Sequence, residues 1–174
     1  MSEPVHPPQK LPSTATLVTD ASMYGWGALL FKDSGEVLAA DGAWEKAPNM
    51  ISQAEARAVH LASRGFKPHL TGPLDIRVDN TTVMGIMQKG NAHSQALVKE
   101  ANAIDRVLCS HGIHAEWSYV ASEQNPADGI SRGKFIKKSD IAKGWNLRRE
   151  ESEAGLKLLL STSISSVLRM YLIV

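Results

Sequence analysis

Four carboxylates stand where an ordinary soluble domain has little use for them. Asp20 interrupts the apolar run "TLVTDASMYGWGALLF" (residues 16 to 31), and a buried carboxylate is costly unless it is paired or binds a metal. Asp79 ends a second apolar run, "LDIRVDN" (74 to 80). Glu55 lies in the first turn of a helical stretch, and Asp128 lies in "NPADGISRG", just after the last expected strand. Acids at strand ends and helix starts supply the oxygen donors that a hard divalent cation such as Mg²⁺ takes. Two such ions about 4 Å apart activate a water and stabilise the leaving oxygen of a phosphodiester. Each acid alone also has a plain structural reading. Ser52 and Glu55 form an S-x-x-E capping box, Asp20 suits a strand-end turn, Asp79-Asn80 an Asx-type cap, and Asp128 a helix N-terminus.

The elements that must position these acids follow from hydrophobic periodicity. "TATLVTDAS", "GWGALLFKD" and "GEVLAADGAW" are three strand-like runs with short links, an antiparallel meander. "NMISQAEARAVHLASRG" has helical spacing and stops at Gly65; "LDIRVDN" is a strand, followed by a short helix in "TTVMGIMQKG". "SQALVKEANAIDRVLCSHG" is a longer amphipathic helix and "IHAEWSYV" a strand. The order βββ-α-β-α-α-β-α predicts an α/β fold whose sheet is mixed, with parallel pairing among the later strands and helices packed on it.

The chain has 174 residues, 43% hydrophobic and 21% charged, which suits one globular domain. Its net charge of +1 neither favours nor excludes a nucleic-acid partner, because local charge density decides that. Cys109 is the only cysteine, so neither an intrachain disulfide nor a cysteine-rich zinc site is expected, in keeping with a reducing compartment. The six histidines lack ligand spacing within one helix. Residues 1 to 14 are Pro-rich and polar without periodicity and read as a disordered arm or linker, with no apolar core of a signal peptide. The core domain is expected over 15 to 140, followed at 141 to 174 by a basic and apolar tail. The end of that tail, "LKLLLSTSISSVLRMYLIV", contains Lys157, Arg169 and a Ser/Thr cluster, and predicts a docked terminal helix rather than a membrane span. Trp26, Trp44 and Trp117 fall on or beside strands and read as core, whereas Trp145 lies in the tail.

Four segments, "TDASMYGWGALLF", "ISQAEARAVHLA", "IRVDNTTVMGIMQKG" and "YVASEQNPADGISRG", resemble in order the catalytic segments of the ribonuclease H domain of retroelement reverse transcriptases. The likeness is greatest to long-terminal-repeat and tyrosine-recombinase retrotransposons, whose last segment often ends in a similar N-x-x-A-D-x-x-S-R. It covers residues 15 to 135. The resemblance implies an RNase H-like fold, a five-stranded mixed sheet flanked by helices, and cleavage of the RNA strand of an RNA–DNA hybrid with two Mg²⁺ ions, Mn²⁺ being a substitute. By position it implies that Asp20 bridges both metals. Glu55 would bind the ion nearer the leaving group, Asp79 would end the fourth strand, and Asp128 would bind the other ion.

The same resemblance places Ser22, Ser52 and Asn80 against phosphates or the 2′-hydroxyl that marks RNA. Arg132 and Lys134 open the basic stretch "RGKFIKKSDIAKGWNLRR" (132 to 149), which suits a phosphate backbone or a solvated helix face. It further implies a reverse transcriptase polymerase as partner, no membrane, and an intracellular setting, cytoplasmic or nuclear. One departure stands out: the loop "VASEQNPAD" lacks the histidine of cellular and retroviral members and has Glu123 or Gln124 near its place. A transposase core would carry its last acid as a glutamate on a long helix, unlike Asp128. A non-catalytic hybrid- or RNA-binding module on the same fold is the alternative function.

Overall fold

The computed structural model describes residues 15–90 and 94–148, together with the strand backbone at 158–159 and 169–173. Three strands, β1 (Ala15–Ala21), β2 (Gly25–Lys32) and β3 (Val37–Ala43), form the antiparallel meander. After α1 (Ile51–Gly65), strand β4 (Leu74–Val78) pairs parallel with β1. After α2 (Thr81–Lys89) and α3 (Gln95–Ser110), strand β5 (Ala115–Tyr119) pairs parallel with β4. The five-stranded mixed sheet flanked by helices is therefore present, with β1 near its centre.

That central place explains the unbroken apolar runs. All seven residues of β1 are buried, because helices cover both faces of the sheet. On one face Leu17, Trp26 and Leu30 pack with Ala58 and Val59 of α1 and Ile104 of α3. On the other, Val18, Leu29 and Phe31 meet Ile130 of α4 (Asp128–Ser131) and Trp145 of α5 (Lys138–Arg148). Helix α5 spans residue 140. Its Gly144 lies so close to Phe31 that an added Cβ would sit 1.8 Å from the ring, and Trp145 meets the same ring edge-on at 5.3 Å.

The expected terminal helix is a correction. Where described, the end of the tail at 156 to 174 is extended: β7 (Arg169–Ile173) pairs antiparallel with β3, and β6 (Leu158–Leu159) pairs with β7. β3 otherwise ends the sheet with unpaired backbone groups, and "RMYLI" is rich in residues that favour strands, so edge pairing outweighs helical propensity there. Among the described residues no helix is long and apolar enough to cross a membrane. The expected arm at residues 1 to 14 lies outside the described residues.

Candidate active site

Parallel strands β1, β4 and β5 end on one side of the sheet, and the chain places its acids there. Asp20 is the last residue but one of β1, Asp79 follows β4, and Glu55 is the fifth residue of α1. One carboxylate oxygen from each of Asp20, Glu55 and Asp79 lies within 4.8 Å of the others. Asp20 and Glu55 are each only 3% exposed.

The capping-box reading of Glu55 does not hold. α1 begins at Ile51 with no side-chain cap, two residues earlier than a Ser52 cap would need, which puts Glu55 beyond the first turn. Glu55 Oε1 instead accepts the Ala21 amide of β1 at 3.3 Å, and its Oε2 is buried without a hydrogen-bond partner. Asp20 Oδ2 accepts from Ser131 Oγ at 2.8 Å. Asp79 Oδ2 accepts from Ser122 Oγ at 3.3 Å, in the loop that lacks the histidine.

Like charges crowded out of water hold protons. Burial, then the neighbouring Asp79, pushes Asp20 up to about 8, with the Ser131 hydrogen bond working the other way. Burial, then Asp79 and Asp20, pushes Glu55 up to about 10. Such a pair suits a site completed by positive charge, and three carboxylates with an orphaned buried oxygen form an all-oxygen donor set that fits a hard divalent cation.

Asp128 stands apart from this group. It begins α4, is half-buried, and its Oδ1 lies 3.7 Å from Arg132 Nε. It still acts on Asp20 through its charge. Its seat depends on residues that the sequence reading left without a role. Asn125 donates to the Thr19 carbonyl at 3.0 Å and accepts the Ala127 amide at 2.8 Å, which ties the loop to β1. Ser131 fixes α4 to Asp20, while Ser22 Oγ donates to the Ser131 carbonyl at 2.7 Å. Gly27 faces Asp20 across the β1–β2 ladder, and an added Cβ there would fall 2.5 Å from Ile130 Cγ1 and 2.8 Å from the Ser131 nitrogen. Only glycine lets α4 lie that close. The signals are in the sequence: Asn125 and Ser131 are the N and S of "NPADGISR", an N-x-A-D-x-x-S-R run, and Gly27 closes "GWG".

The residues read as substrate contacts lie around the acids, several already engaged. Asn80 caps α2 by accepting the Val83 amide at 3.0 Å, and its Nδ2 donates to Ser52 Oγ at 3.4 Å. Ser22 holds the β1–β2 turn, where Trp44 Nε1 donates to its carbonyl at 2.7 Å. Arg132 and Lys134 are exposed just after α4. Arg148, from the same basic stretch, is not: its side chain is 3% exposed, lies over the Trp145 ring and donates to the Phe31 carbonyl. Trp26 is core, 1% exposed.

No family model matches the chain, and no curated protein matches it. Solved structures do. RNase H1 of the halophilic archaeon Halobacterium salinarum NRC-1 is 17% identical, with 67% of this chain covering 91% of that one at a TM-score of 0.53. The N-terminal RNase H domain of a Mycobacterium tuberculosis protein is 15% identical, with 71% of this chain covering 98% of that one at a TM-score of 0.58. LC11-RNase H1, solved in complex with an RNA/DNA hybrid, is 17% identical, with 72% of this chain covering 98% of that one at a TM-score of 0.54. At these identities the likeness speaks for the backbone architecture: the chain has the RNase H-like fold.

Proposed function

We propose that this protein is an endoribonuclease that hydrolyses the RNA strand of RNA–DNA hybrids, and that its domain over residues 15 to 140 derives from a retroelement reverse transcriptase. The observation that carries this reading is the convergence of Asp20, Glu55 and Asp79 at the strand ends of an RNase H-like sheet. The retroelement origin rests on the likeness of "NPADGISR" to the last segment of those enzymes, and its Asn125 and Ser131 hold the last acid in place here.

Asp20, Glu55, Asp79 and Asp128 are the residues that would hold two Mg²⁺ ions, with Mn²⁺ as a substitute. Bound there, the ions supply a water of lowered pKa and stabilise charge on the leaving oxygen. The chain's own contribution is preorganisation. Asp20 and Glu55 release their protons when positive charge arrives, so binding is proton-linked. Ser131 keeps Asp20 in one orientation, and Ser122 does the same for Asp79. Asp128, at the rim beside Arg132, is more accessible than the buried Asp20 and Glu55. Ser22, Ser52 and Asn80 border the acids where the RNA strand would lie, with Arg132 and Lys134 on its phosphates. A polymerase domain as partner and an intracellular site of action, cytoplasmic or nuclear, belong to the same retroelement reading.

The test is cleavage of a hybrid labelled on its RNA strand, in Mg²⁺ and then in Mn²⁺, with Asp79→Asn and an RNA duplex as controls. Cutting confined to the hybrid and lost in the variant is expected, with 3′-hydroxyl and 5′-phosphate ends. Hybrid binding without cutting in either metal would point instead to a non-catalytic binding module.

A further inference from the structure

Large apolar side chains are unevenly spread over this surface. Among the described residues, every exposed one except Val98 lies on a segment that borders the carboxylates. Met23 and Tyr24 form the hairpin tip directly after Asp20 and Ser22, 77% and 67% exposed. Met50 and Ile51 open α1, which carries Glu55. Tyr119 closes β5 opposite Val78, the residue before Asp79. Phe135, 84% exposed, follows α4. Scattered apolar residues need no explanation, but their concentration on the segments that carry one site points to a binding surface there.

The two most exposed rings are held outward by their backbones. The Lys134 amide donates to the Gly129 carbonyl at 3.1 Å and Ile136 packs against the core cluster of Phe31 and Trp145, while Phe135 between them stands in solvent. The Tyr24 amide donates to Ser22 Oγ at 3.1 Å, and its carbonyl accepts the Trp44 amide at 3.2 Å. The Ser22–Ser131 hydrogen bond joins the two segments. Beside Phe135 stand exposed Lys134 and Lys137. Aromatic rings among lysines are how proteins bind single strands: each base has a face to stack on, and the cations follow the phosphates. A duplex hides those faces between its paired bases, so an outward ring meets a base only where a strand is unpaired.

We propose that Tyr24 and Phe135 stack on unpaired nucleotides flanking an RNA–DNA hybrid, so that the preferred substrate is a hybrid running on into single strand. The proposal rests on the ribonuclease reading above and specifies its substrate. It is tested by fluorescence anisotropy of the full chain in EDTA, with one hybrid made blunt and again with an overhang of about eight nucleotides. The overhang should tighten binding by about tenfold, as one or two stacked bases imply. Phe135→Ala and Tyr24→Ala should each bring the blunt-to-overhang ratio of Kd values towards one, while Val98→Ala leaves it as in the wild type. A wild-type ratio of one, or equal weakening of both substrates in the two ring variants, overturns the proposal. Cleavage of the blunt hybrid in Mg²⁺, measured alongside, separates the two readings. Cleavage with a ratio of one removes the stacking role alone, and a high ratio without cleavage removes the nuclease and keeps the single-strand surface.

Discussion

Gly27→Ala adds one methyl group at the place where α4 lies against β2. The new Cβ would stand 2.5 Å from Ile130 Cγ1, 2.8 Å from the Ser131 nitrogen and 3.1 Å from the Ile130 carbonyl carbon. Ordinary contact between such atoms begins at about 3.5 Å, and two of the three obstacles are backbone, so α4 must retreat by about 1 Å. Ser131 donates to Asp20 at 2.8 Å, and that displacement takes the bond beyond useful length. Asp128 moves with it. Overpacking of this kind costs about 1–3 kcal/mol, a fall in Tm of about 2–4 °C per kcal/mol for a domain of this size. Misplacement of reacting groups by about 1 Å costs about a hundredfold in rate. Hybrid cleavage measured well below the unfolding temperature, beside a thermal melt, separates the two effects. A variant with wild-type rate and wild-type Tm refutes the close seat of α4; a lowered Tm with an unchanged rate refutes its role in the chemistry.

Other outcomes follow from the same geometry. Asp20 and Glu55 titrate in the fold near 8 and 10 against ordinary values of 3.8 and 4.5, so in that window the folded chain keeps protons that the unfolded chain has lost. Stability in EDTA should therefore fall as pH rises from about 5 to 9, by at most about 1.4 kcal/mol per unit for each group, and excess Mg²⁺ should reverse the trend. A Tm that is flat or rises over that range in EDTA contradicts the crowding of these acids. On the far side of α1, burial of Glu100 is outweighed by hydrogen bonds from His60 at 2.9 Å and Arg57 at 3.0 Å, which hold its carboxyl below the usual range. That stability is present above the unfolded value and lost as pH falls. Glu100→Ala should cost about 2 kcal/mol in urea unfolding at neutral pH, and no loss would mean that the α1–α3 joint rests on apolar packing alone. Truncation after Arg148 uncovers the β3 edge and should promote self-association in size-exclusion chromatography, whereas a strictly monomeric product would show that the edge is protected without β7.

The sheet was legible because its signals are local. β1 and β2 read as apolar runs since both faces are covered, and the turns between strands carry Asp, Ser and Gly. α2 announced itself through Asn80, a side chain that bonds within its own turn. Long-range partners were not legible in this way. Glu55 has the spacing of a capping box with Ser52, and only the approach of β1 decides that it bonds to the Ala21 amide instead. Ser131 and Asn125 could be read as turn residues until α4 and its loop are seen to close on β1 over more than a hundred residues of sequence. Arg148 reads as a free cation among lysines, yet Trp145 and the Phe31 carbonyl claim it. The end of the tail is an apolar run that does not say what it packs on, and its strand exists because β3 offers an edge.

The most direct test of the carboxylate cluster as a cation site is anomalous diffraction from crystals of the full chain grown with Mn²⁺ and an RNA–DNA hybrid. Manganese peaks in contact with Asp20, Glu55 and Asp79, with a second position shared by Asp20 and Asp128, are predicted, and both should vanish in Asp79→Asn or weaken sharply. Well-ordered crystals with the hybrid bound and no manganese at these four acids would contradict it.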